Sequence, residues 1–151
     1  MGEPKLEEIK MGSTQRYLEF ILGNESYAVE LLKVKEVITP PLVTPIPQAP
    51  SYVCGLMNLR GIVLTITDLR KKLGITPNID RDQNAVIIFD LGERMVGVVV
   101  DSIQRVLSVD TDLVKPPPHD DTPLSKHIKG VIQQENKLIV WVEPKTLIDE
   151  F

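Results

Sequence analysis

Hydrophobic positions along the chain come in short runs with a period of two, broken by glycine and proline, and that rhythm predicts strands rather than helices. In "YLEFILG" the alternation puts Leu18, Phe20 and Leu22 on one face, and an Asn-Glu turn leads into "SYAVEL" with Tyr27, Val29 and Leu31 inward. Two strands joined so tightly predict a hairpin. The stretch "AVIIFDLGERMVGVVVDSI" predicts a second hairpin of the same design. With Gly23 set on Gly92, an offset of 69, Ala28 meets Gly97, Val29 meets Val98, Leu31 meets Val100, Val34 meets Ile103 and Val37 meets Val106 without a gap.

A second echo joins "GLMNLRGIVLTITDL" to "GVIQQENKLIVWVEP" at an offset of 75, pairing Ile66 with Trp141 and Asp68 with Glu143. The chain therefore reads as A-B-A′-B′, an internal duplication of hairpins. Helix signals are few. Asp68 is placed to cap a short helix with Lys71 and Lys72 in its last turn and Gly74 as its stop, and "PKTLIDE" offers another with Pro144 first. Five of the twelve prolines lie between Pro40 and Pro50 and four between Pro116 and Pro123, which predicts extended connectors there. An all-β chain of two small barrels is the expected class.

Composition narrows the function more than the fold. At 151 residues the chain can bury a substantial core. Its net charge of −4 disfavours a general nucleic-acid or anionic-membrane surface. The apolar runs "MVGVVV" and "LIVWV" are strand-length, far short of the roughly 20 residues of a membrane helix. Residues 1–15, "MGEPKLEEIKMGSTQ", have no apolar core; a flexible tail is expected, neither signal peptide nor anchor, and with it a cytoplasmic protein. The single cysteine, Cys54, cannot form an internal disulfide or a multi-cysteine metal site, and "SYVCGLM" makes it a small buried hydrophobe.

Catalytic signatures are missing: no phosphate loop, no G-x-G-x-x-G, no H-E-x-x-H and no nucleophile elbow. His119 and His127 lie in "PPPHDDTPLSKHIKG", where a metal or proton site with Asp120 and Asp121 competes with a plain solvated loop, and the loop is the stronger reading. The aspartate pair with Lys126 also resembles a phospho-acceptor, but that chemistry needs parallel strands from βαβ units. No enzyme activity, cofactor or metal is expected. Attention returns to the turn Asn58-Leu59-Arg60-Gly61, where the arginine is either a solvated loop charge or a planar cation presented to a partner.

At this point the chain resembles the CheW family of bacterial chemotaxis adaptors. The likeness lies in "ILGNESYAVELLKVKEVI", in "PIPQAPSYVCGLMNLRGIVLTITDLRKKLG" with its N-L-R-G turn and following D-L-R, and in "LGERMVGVVVDSIQRVLSV" with its G-x-x-V-D segment. It runs from about Arg16 to the C-terminus, so residues 16–151 are expected to form one domain of two intertwined barrel subdomains. One departure is Thr65 in "GIVLTITDL", where the family commonly has proline, which bears on local strand geometry.

The resemblance implies a scaffold: two five-stranded SH3-like barrels joined around a groove, with a few short helices, coupling chemoreceptor tips to the histidine kinase CheA. It also suggests that A pairs with B′ and B with A′. Carried over by position, the receptor-facing residues would be Val34, Glu36, Asn58, Arg60, Ala85 and Val106. The kinase-facing ones would be Val43, Ile46 and Gly55, with Lys115 in a second interface that closes arrays. The protein would then be a monomer when isolated, without nucleic-acid binding or membrane insertion of its own, recruited from the cytoplasm to receptor arrays. Two competing readings are an adaptor of a related chemosensory pathway and a small-molecule-binding β-barrel.

Overall fold

The structure, a computed structural model, describes residues 14–77, 84–118 and 124–149. The first hairpin is β1 (Thr14–Leu22) and β2 (Glu25–Glu30), followed by a 3-10 turn and β3 (Val34–Ile38). The second is β4 (Val53–Leu59) and β5 (Ile62–Asp68), running directly into helix α1 (Leu69–Leu73). The third is β6 (Ala85–Asp90) and β7 (Met95–Val100), continued by β8 (Ser102–Asp110). After a two-residue strand β9 (Val114–Lys115) come β10 (Ile128–Gln134), β11 (Lys137–Val142) and helix α2 (Pro144–Asp149). The expected tail, residues 1–15, lies outside the described residues up to position 13.

Both helices start as the sequence predicts. Asp68 Oδ1 accepts from Arg70 N at 3.0 Å, and Glu143 Oε1, at the matching place of the repeat, accepts from Lys145 N at 3.3 Å. Gly74, with φ of 70°, ends α1 in the left-handed conformation that glycine adopts freely.

The strands form two sheets, ordered β8-β1-β2-β11-β10-β9 and β3-β6-β7-β5-β4. The all-β expectation holds, and A does pair with B′ and B with A′. Strand by strand the two orders are the same, with β8, β1, β2, β11 and β10 in the places of β3, β6, β7, β5 and β4. Each sheet joins its two hairpins through one parallel pair, Tyr27–Val140 and Ala28–Trp141 in one, Val96–Thr65 and Gly97–Ile66 in the other. Shifting the first pair by the sequence offsets of 69 and 75 lands on the second, so the duplication extends to the register. The strand count differs from five in one sheet, because β9 pairs with Val131 and Ile132 as a sixth strand. In the other sheet its counterpart is the single bridge of Thr44 to Leu56. Thr65 sits in regular register between Leu56 and Val96, so the departure from proline leaves the strand intact.

The chain divides into two compact units: Met1–Glu19 with Ser26–Leu31 and Arg105–Phe151, and Phe20–Glu25 with Leu32–Gln104. In the first, Tyr17, Ala28, Leu107, Val109, Ile132 and Ile139 form the core, with Trp141 edge-on to Tyr17 at 5.2 Å. In the second the core is Met57, Leu64, Ile66, Val86, Ile88 and Val99. Burying each Val, Leu, Ile or Met side chain among these is worth about 1.5–3 kcal/mol.

Two expectations about faces change. Every residue from Tyr17 to Leu22 is buried, not only the Leu18, Phe20 and Leu22 face, and this includes the carboxylate of Glu19 at 0% exposure. A charge can stay there because Lys137 Nζ lies 2.6 Å and Arg105 Nε 3.1 Å from its oxygens. Burial pushes the Glu19 carboxyl up, but hydrogen bonds from Lys137, Arg105 and Ser26 outweigh it and hold it below its ordinary 4.5. Leu31, expected inward on β2, falls in the 3-10 turn after the strand ends and is only half-buried.

Candidate functional site

The Asn58–Gly61 turn joins β4 to β5 with both central residues at positive φ, Arg60 at 51° and Gly61 at 89°. This is the two-residue hairpin turn whose twist suits flanking strands. For a residue with a side chain the left-handed conformation costs about 1–2 kcal/mol. Asn58 offsets it by accepting Gly61 N on Oδ1 at 2.8 Å, so its side chain shapes the turn. The duplicate turn repeats the device with Glu135 at 56°, at the offset of 75 from Arg60.

Arg60 is 71% exposed, and its guanidinium forks onto Glu36 of β3, with Nη1 to Oε2 at 2.6 Å and Nη2 to Oε1 at 3.1 Å. The Arg60 hydrogen bond lowers the Glu36 carboxyl and raises the guanidinium in return. Neither group is committed to the core. The pair holds a planar cation on the surface with donors left for a partner's carbonyls or carboxylates.

The structure brings some of the other receptor-facing candidates near this pair and not others. Val34 shares β3 with Glu36, half-buried, across a bulge that re-aims the strand. Ala85 opens β6 and lines a cleft of about 430 Å³ with Val37, Ile38, Thr39, Asn84, Ser102 and Ile103. Val106 belongs to the first unit, on β8, at 45% exposure, and is the repeat counterpart of Val37, at 41%.

The kinase-facing candidates come together along β4. Thr44 and Leu56 exchange backbone hydrogen bonds of 2.8 Å in both directions, which lays the proline connector against the strand. Gly55 makes this possible: at φ of 148° a Cβ would stand 2.4 Å from Thr44 O. Extended backbone alternates its side chains. Val43 therefore packs against the core of its unit, while Leu42, which the sequence reading passed over, is 99% exposed and Ile46 36%.

Lys115 is in the first unit, on β9. It lines an apolar groove of about 490 Å³ with Pro116, Pro118, Val131, Gln133, Leu138 and Val140. A third repeat becomes visible here: "LVTPIP" from Leu42 matches "LVKPPP" from Leu113 at an offset of 71. Val43 and Val114 each pack on their own unit's core, and Leu42 and Leu113 are each exposed. Both halves thus carry the same connector on the same strand.

The D-L-R and G-x-x-V-D segments have a structural role that spacing alone did not reveal. Arg70, 7% exposed, donates to Asp68 at 2.9 and 3.0 Å and to Asp101 at 2.8 Å. Its hydrogen bond to Asp68 outweighs burial and raises its pKa. Asp101 in turn accepts Gly23 N at 2.6 Å, tying the tip of the first hairpin into the second unit. His127 is not in a solvated loop: it is 4% exposed, its carbonyl accepts Glu143 N at 2.8 Å and Nδ1 lies 3.2 Å from Thr146 Oγ1, so it seats α2. His119, Asp120 and Asp121 lie outside the described residues. Cys54 is half-buried against the core, and burial pushes its thiol up.

Two sheets of one design, each offering turns, connectors and exposed apolar side chains, define a β-rich interaction module. The model of the CheW-like domain matches residues 16–151. Chemotaxis protein CheW of Klebsiella aerogenes is 34% identical over 136 residues, 89% of this chain and 81% of that one. That of Bacillus subtilis is 30% identical over 146 residues, 95% of this chain and 91% of that one. Among solved structures, the scaffolding protein TtCheW from Thermoanaerobacter tengcongensis matches with a TM-score of 0.81 at 27% identity, covering 88% of this chain and 86% of that one. The chain belongs to the CheW-like family, a family of non-catalytic scaffolds.

Proposed function

We propose that the protein couples chemoreceptors to a CheA-type histidine kinase in bacterial chemotaxis, binding each through a different surface. The observation that carries this reading is the family match across residues 16–151. The receptor surface centres on Arg60 and Glu36, with Val34 and Ala85 in the same unit; Asn58 acts through the turn it shapes, and Val106, on the other unit, is a separate receptor-facing candidate. An apolar stripe on a receptor's helical hairpin would meet Val34 while its polar edge meets the guanidinium. The kinase surface is the connector from Leu42 to Ile46 held by Gly55. Prolines fix its backbone beforehand, so binding loses less ordering entropy. Lys115, on the matching connector, belongs to a second interface.

Among the described residues no helix is long and apolar enough to cross a membrane, which fits a protein recruited to receptor arrays from the cytoplasm. Reconstitution tests the coupling. Adding the protein to a CheA-type kinase and a receptor signalling fragment should raise kinase autophosphorylation well above that of kinase and receptor alone. Unchanged kinase activity, with both partners shown to be competent with another adaptor, would contradict the reading.

A further inference from the structure

A duplicated chain faces a choice that a single β-module does not. The first hairpin has the strand spacing and parallel register of the third, so it could complete the sheet of β4 and β5, which lies nearer in sequence than its actual partner. Something must direct it to β10 and β11.

At one position that is fully buried in both halves, one half carries a charge and the other an aliphatic side chain. Glu19 of β1 occupies, at the offset of 69, the place that Ile88 takes in β6. Each is 0% exposed. Ile88 lies in an apolar core and pairs with Glu36 and Gly97. Glu19 is accepted in its own unit because Arg105 and Lys137 reach it at 3.1 and 2.6 Å. The residues equivalent to those two cations in the other unit are Glu36, at the offset of 69, and Ile62, at the offset of 75. Hairpin β1–β2 in the place of β6–β7 would therefore set a buried carboxylate opposite Glu36, which Arg60 already holds at the surface, and an isoleucine, with no cation in the places of Arg105 and Lys137. A smaller steric mismatch acts in the same direction. Ala28 would replace Gly97, where a Cβ stands 2.4 Å from Ile66 Cδ1 of the retained strand β5.

We infer that the Glu19–Arg105–Lys137 cluster is the pairing key of the fold: it decides which hairpin completes which sheet. Buried ionic groups of this kind contribute less to stability than a well-packed apolar set, and their best-attested use is to fix register and partner choice. Stability and fidelity should then come apart on mutation.

The test uses the full chain with Cys54→Ala and cysteine pairs as reporters, refolded from denaturant under mild oxidation. Tyr27→Cys with Val140→Cys reports β2 beside β11. Tyr27→Cys with Thr65→Cys reports β2 beside β5, whether the disulfide forms within one chain or between two. Lys137→Ile alone should melt lower than the parent yet give no more of the 27–65 disulfide, because Glu19 still bars the wrong sheet. Adding Glu19→Ile should restore the melting temperature and raise the 27–65 disulfide roughly tenfold, the change expected from losing about 1.4 kcal/mol of discrimination. If the 27–65 product rose in the single variant and fell back in the double, fidelity would merely follow stability and the inference would be wrong. It would be equally wrong if the double variant refolded with no rise in that product.

Discussion

Replacing Arg70 with alanine should unfold the protein well before the surface changes that disturb its partners do. The guanidinium is 7% exposed and bridges two carboxylates, Asp68 at 6% and Asp101 at 0%, through bonds of 2.8 to 3.0 Å. Removing it leaves both acids buried without their shared cation, and breaking a buried pair in this way costs about 3–5 kcal/mol. For a chain of this length each kcal/mol moves the melting temperature by about 2–4 °C, so a drop of about 6–20 °C is expected. Thermal and urea denaturation at neutral pH measure it, with Arg60→Ala as the comparison. That arginine's pair is on the surface, and its loss should shift the melting temperature far less. Arg70→Lys should recover little, since an ammonium cannot fork between two carboxylates. A variant Arg70→Ala melting within about 2 °C of the parent would refute the view that this triad holds the second unit together.

Three further outcomes follow from single sites. Glu19 has a folded pKa held below its ordinary 4.5, so its contribution is fully present above that pH and is lost as the pH falls through the lower folded value; the stability gap between parent and Glu19→Gln should narrow on acidification below pH 4.5, as read by urea midpoints. The Tyr17 hydroxyl is buried with no hydrogen-bond partner among the described residues, so Tyr17→Phe should leave the melting temperature unchanged or raise it by the equivalent of about 1 kcal/mol. Gly55→Ala forces a methyl against Thr44 O at a backbone angle that side chains resist; it should cost about 1–3 kcal/mol and lift the connector, seen as weaker kinase binding with receptor binding unchanged.

What the sequence disclosed depended on how local the signal was. Alternation and turn glycines made both hairpin repeats readable, down to the offsets that reproduce the Ala28–Trp141 and Gly97–Ile66 registers. The helix cap at Asp68 and the start of the last helix at Pro144 were equally legible, because such signals are decided within three residues. Glu19 escaped notice since an acid between Leu18 and Phe20 reads as the solvent side of a strand; only Arg105 and Lys137, distant in the chain, make its burial tolerable. The same distance hid the Asp68–Arg70–Asp101 triad and the link from Glu36 to Arg60. Which way the apolar side chains of the proline-rich connector face was not legible, so the partial burial of Val43 and the outward turn of Leu42 went unseen. The bridge of Thr44 to Leu56 settles the alternation and turns Leu42 outward.

The most direct test of a two-surface adaptor is a titration of two variants against both partners. Leu42→Asp with Ile46→Asp places charge on the outward side of the connector without touching the core-packed Val43, and should abolish binding to a CheA-type kinase while sparing a receptor signalling fragment. Arg60→Glu, which sets a second carboxylate beside Glu36 at the Asn58–Gly61 turn, should do the reverse. If either variant lost both partners while keeping a native circular-dichroism spectrum and melting temperature, the two surfaces would not be separate and the proposed division of labour would be contradicted.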